Sequence, residues 1–146
     1  MIPTLAGRLQ TRVFVLATVG ALLTALIVPV LPGAAGPLAQ TYRNAYLILL
    51  AVTVVGLGWE LLYHLVMQFR WDKDWPTLFG LVTMVPEGCL MWLLLDAGLV
   101  PGVKGHVAAS MFATMFAVVW LGQWLFLNGP MRVLSVTWRL RGGRLL

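Results

Sequence analysis

Charge is scarce in this sequence. Only 10% of its 146 residues are Asp, Glu, Lys or Arg, against about 25% in a soluble domain. That is too little to coat a water-facing surface of this size, which excludes an ordinary soluble fold. Cysteine is nearly absent. A lone Cys89 excludes an intrachain disulfide and any multi-cysteine metal site within one chain. Standing two residues from Glu87, Cys89 falls on a different helical face and reads as a small packing residue. There are five acids and two histidines, and they form no Ser–His–acid set. Ser110 and His106 belong to the opposite half of the chain's depth from His64, which removes both a nucleophile constellation and a bis-histidine haem within one chain. The expectation is a chain with no catalytic residue, no metal and no cofactor.

Apolar residues are abundant, at 60%, with a mean hydropathy of +0.90. A bilayer crossing needs roughly 20 apolar residues. Four runs approach or exceed that length: 13–31, 45–67, 78–95 and 107–127. The remaining loops are short and force neighbouring helices side by side. The expected fold is an all-α membrane protein, one integral domain over residues 1–146, with four transmembrane helices in an antiparallel up-down bundle. The first run is longer than the roughly 7–15 residues of a signal-peptide core, so it is expected to be retained. Cleavage after it would leave three spans and the N-terminus outside.

Basic residues set the orientation. With both termini inside, Arg8, Arg12, Arg70, Lys73, Arg132, Arg139, Arg141 and Arg144 lie inside and only Arg43 and Lys104 outside. This arrangement predicts N-in and C-in, in a plasma or bacterial inner membrane. The net charge of +5 then has a partner in anionic headgroups, and nucleic acid is not expected. Headgroup or partner contacts are assigned to Arg70, Trp71, Lys73 and Trp75 in the second loop. Arg132, Trp138, Arg139, Arg141 and Arg144 have the same role in a basic interfacial tail over 130–146. Trp120 and Trp124 read as boundary anchors at the inner end of the fourth helix, and Tyr42 and Tyr46 at the outer boundary.

End signals are local. Asp74 is placed to cap the third helix, with Pro76 in its first turn. Gly129 reads as a left-handed stop, with Pro130 beyond it. Pro86 and Gly88 lie mid-span, where proline removes a backbone donor and kinks the helix, freeing carbonyls that need other partners. Ala17, Ala21 and Ala25 on the first helix, and Ala109, Ala113 and Ala117 on the fourth, make stripes of small residues suited to close helix packing.

The chemistry concentrates in "GWELLYH", residues 58–64. Glu60 and His64 share a helical face, with Gly56 extending it. Counting 1.5 Å per residue from the inner helix ends, Glu60 is roughly 12 Å deep, His64 and Gln123 roughly 6 Å, and Glu87 roughly 15 Å. Lipid satisfies none of them. Glu60, His64, Glu87 and Gln123 are therefore expected to form one intramembrane cluster, either a proton relay or a clamp between helices. Two acids close together in a low dielectric call for a shared proton or a cationic His64. The functional expectation is a non-catalytic subunit or scaffold of a membrane complex or homo-oligomer. The alternative is a proton-linked transporter or ion-conducting oligomer using Glu60, His64 and Glu87.

Overall fold

The computed structural model describes residues 4–71 and 76–146. Among these the regular structure is helical throughout, and four helices are long and apolar enough to cross a membrane: α1 (Leu5–Val30), α2 (Leu38–Gln68), α3 (Phe79–Asp96) and α4 (Ala109–Leu134). A short α5 (Val136–Leu140) follows. Four such helices mark an integral membrane protein.

Helix α1 starts well before the apolar run at 13. The Thr4 hydroxyl accepts from Gly7 N at 3.1 Å and caps the first turn. Arg8 and Arg12 therefore lie inside the helix instead of on a flexible flank. A π-helical turn at Leu16–Gly20 shifts the buried face, which runs through Leu16, Gly20, Thr24 and Val28. The alanine stripes lie beside the buried faces. Ala17, Ala109 and Ala113 are exposed, while Ala21, Ala25 and Ala117 are half-buried. On α4 large side chains carry the packing, with Met111, Met115, Phe116 and Val119 in one core with Ile48 and Met91.

The carbonyl that Pro29 leaves without a donor finds a partner on α2. Pro29 cannot donate to the Ala25 carbonyl four residues back. Tyr42 Oη donates to that carbonyl at 3.0 Å, and Tyr46 Oη to the Ala21 carbonyl at 3.1 Å. In α3 the helix breaks at Thr83, between Phe79–Val82 and Met84–Asp96. The Gly80 carbonyl there accepts from Thr83 Oγ1 at 3.2 Å and from Trp120 Nε1 at 2.8 Å. Gly88 makes room for a neighbour: a Cβ at this position would lie 2.9 Å from Phe116 Cε1. Gly129 is not left-handed (φ −111°, ψ −98°), and Pro130 begins a further helical turn in place of a stop. The expected Asp74 cap, and the contacts assigned to Lys73 and Trp75, lie outside the described residues.

The tail does not lie free. Trp138 is buried and its indole donates to Thr11 Oγ1 at 2.7 Å. Thr11 Oγ1 in turn donates to the Gly143 carbonyl at 2.9 Å, and Thr4 N to the Gly142 carbonyl at 2.9 Å. Gly142 and Gly143 have φ of 61° and 86°, a left-handed region that costs other residues about 1–2 kcal/mol each. This turn presses the tail backbone onto Gly7, where an added Cβ would meet the Gly142 carbonyl oxygen and lie 2.7 Å from Gly143 C. Trp138 is thus a docking residue of the tail and not a headgroup contact. Arg132, Arg139, Arg141 and Arg144 remain exposed. Gly7→Ala favours helix α1 by roughly 1 kcal/mol of propensity, yet it is expected to release the tail. Trypsin should then cut at Arg139 and Arg141 at least several-fold faster than in the wild type. Unchanged cleavage would show that the tail is held elsewhere.

Candidate functional site: a buried arginine shared by two glutamates

Arg12 is the centre of the site. It is 8% exposed, and its guanidinium donates from Nη1 to Glu60 Oε1 at 3.1 Å and from Nη1 to Glu87 Oε1 at 3.4 Å. Nη2 is ion-paired with Glu87 Oε2. Arg8, one turn earlier on the same face, donates from Nε to Glu60 Oε2 at 2.7 Å. Guanidinium geometry suits this bridging, since its planar fork reaches two carboxylates at once.

Every long helix contributes to the site. Arg8 and Arg12 come from α1, Glu60 from α2 and Glu87 from α3. The Trp120 ring of α4 lies under Arg12, with 5.4 Å from Cζ to the ring centroid, a cation–π distance. Gly56, one turn before Glu60, lets the guanidinium lie directly on the α2 backbone, and a Cβ there would clash with Arg12 Nε and Cζ. The structure thus brings Glu60 and Glu87 onto one cation. The side chains that meet them are Arg12 and Arg8, which the sequence reading assigned to membrane orientation, and not His64.

His64 stands apart from these contacts. Its Nε2 lies 3.3 Å from Gln68 Nε2, and its Nδ1 has no partner among the described residues. Glu60 points toward α1 while His64, one turn on, meets its own helix. Gln123 is buried beside the ion pairs without joining them. Trp120 and Trp124, read as boundary anchors, instead tie α4 to the start of α3. Trp124 Nε1 donates to the Thr77 carbonyl at 3.0 Å, matching the Trp120–Gly80 bond. Trp71 is exposed, in keeping with a loop position. Among the described residues no three His, Cys, Asp or Glu side chains group as metal ligands.

A cavity of about 240 Å³ adjoins the ion pairs. Arg8, Glu60 and Glu87 line it together with Tyr63, Phe79, Trp120, Trp124 and Trp138. The tail turn at Gly143 completes the wall. Tyr63 is held between Trp59, stacked at 5.5 Å, and Phe79, edge-on at 5.9 Å.

Two things about Arg12 were legible in the sequence. Thr4 is a capping residue just before Leu5, so the helix can begin there. Two acids deep in a bilayer also demand a cation at matching depth. The fold and site together define a four-helix membrane protein organised around a buried Arg–Glu network. Compared with family models, curated proteins and solved structures, the chain matches none.

Proposed function

We propose that the chain is a non-catalytic subunit or scaffold of a membrane complex, or of a homo-oligomer, and that its Arg–Glu network is a clamp. One observation carries this reading: Arg12 bridges carboxylates from two other helices. A mobile proton or cation needs an acid with a variable partner. Here both acids are matched by arginines, whose charge is fixed under all ordinary conditions.

The up-down order is part of the proposal. Arg12 meets Glu60 while Ala25 meets Tyr42, a pairing that supports opposite directions for α1 and α2. With Arg8 and Arg12 withdrawn from the orientation count, six basic residues against two still favour N-in and C-in. That orientation turns exposed Arg132, Arg139, Arg141 and Arg144 toward anionic headgroups of a plasma or bacterial inner membrane. Extraction in native lipid discs, followed by mass measurement, tests the scaffold reading. A defined oligomer or a stoichiometric partner is the expected result. A lone monomer, dispensable to the complexes around it, would count against it.

The second reading, a proton-linked transporter or ion-conducting oligomer, rests on the cavity that reaches Glu87. In reconstituted liposomes it requires a proton or ion flux that Glu87→Gln abolishes. The clamp reading expects no flux above that of empty liposomes.

A further inference from the structure

We infer that the cavity beside the clamp is a binding site for a neutral planar ring bearing carbonyl oxygens, the chemistry of a quinone headgroup. The scaffold reading assigns nothing to this cavity, and the two stand or fall separately. Size comes first. A dry cavity of roughly 150 Å³ in another protein holds benzene, so about 240 Å³ accommodates one ring with several substituents.

Charge comes next. The formal charges at the rim are two arginines and two glutamates, which cancel. A charged ligand would lose its hydration and find no net countercharge. The indole N–H groups of Trp120, Trp124 and Trp138 are all spent on Gly80, Thr77 and Thr11, and with the Trp120 ring already under Arg12 the aromatic surfaces left to the cavity are those of Trp124 and Trp138. Such faces favour a flat ring by offset or edge contacts.

The unspent polar groups decide the rest. Gln123 is 8% exposed, lines the cavity, and has no hydrogen-bond partner among the described residues. Its amide stays open to the cavity, where a ligand oxygen can accept from its Nε2. Among the described residues Arg8 uses only Nε, on Glu60, leaving its terminal amino groups as further donors at the rim. Donors at two places on an otherwise aromatic wall match a ring with more than one carbonyl acceptor. A membrane supplies such rings dissolved in its own lipid.

The test compares duroquinone with durene, the same methylated ring without the carbonyl oxygens. Binding is measured by calorimetry to the full chain in nanodiscs, with empty nanodiscs subtracted for partition into lipid. Saturable uptake of one duroquinone per chain is expected, with durene weaker by about tenfold. Gln123→Leu should weaken duroquinone by about five- to tenfold and leave durene unchanged. Gln123 has no partner to lose, so the variant should keep its helicity and unfolding temperature. Those two readings confirm that any change belongs to the site. Trp124→Leu, which opens the aromatic wall, should weaken both rings. The inference is overturned by no saturable uptake of duroquinone, by durene binding equally well, or by a folded Gln123→Leu chain that binds duroquinone as the wild type does.

Discussion

Arg12→Met is expected to destabilise the protein by about 3–5 kcal/mol, the usual cost of leaving a buried charge without its partner. Glu87 carries most of that cost. It is 2% exposed, and Arg12 donates to both of its oxygens. Glu60 is less dependent on Arg12, because it is partly exposed and keeps Arg8 at 2.7 Å. Thermal unfolding in one mild detergent, followed by helicity, measures the effect. Arg12→Met combined with Glu87→Leu should recover most of the loss, since replacing a whole buried pair with apolar groups is often close to neutral. Arg8→Met should cost much less, because its pair lies at a partly exposed edge. Should the Arg12 and Arg8 variants unfold alike, Arg12 would not be the keystone of the fold.

Gly56→Ala is expected to cost about 1–3 kcal/mol, the range for inserting a methyl into a filled interior. The sign is the informative part. In an unconstrained helix the change would gain roughly 1 kcal/mol of propensity. Here the new Cβ would clash with Arg12 Nε and Cζ. The guanidinium cannot retreat without leaving Glu60, Glu87 and the Trp120 ring. A coupled pair follows from this geometry. In an Arg12→Met background the Gly56→Ala cost should shrink or reverse, and a double-mutant cycle reads that difference directly. Gly56→Ala raising the unfolding temperature of the otherwise native chain is the outcome this packing forbids.

Both effects concern one guanidinium where four helices meet, which explains why the sequence shows only half of the site. Glu60, Glu87 and Gln123 stand out as polar residues inside apolar runs, and helical rise places them at comparable depth. Arg12 is camouflaged by its neighbourhood. It stands at the edge of an apolar run, among the basic residues that commonly flank a first membrane helix. Only the Thr4 cap, which starts the helix early, carries it inward. The assignment of His64 to the cluster follows from its spacing of four from Glu60. That spacing fixes a shared face but not a shared direction, and Glu60 turns toward α1 while His64 meets Gln68. Spacing likewise selects Ala17, Ala21 and Ala25, joined by Gly20 and Thr24; with the π-helical turn at Leu16–Gly20 it is Gly20 and Thr24 that are buried, and the alanines lie beside them.

The tail shows the same division. Its arginines and scattered apolar residues read equally well as an interfacial segment, because composition does not reveal which surface covers Trp138. The decision rests on Gly7 and the distant Gly142–Gly143 pair, whose missing side chains let two backbones touch. What the sequence by itself determined is the solvent, the number and approximate extent of the spanning helices, and the demand that acids at this depth find partners. These follow from hydropathy and helical rise, which are local and additive. The tertiary structure alone decided that the partner is Arg12, that His64 stands aside, and that the tail lines a cavity together with two further tryptophans. Those outcomes depend on which helical faces meet, a property of pairs of segments that no single stretch of chain encodes.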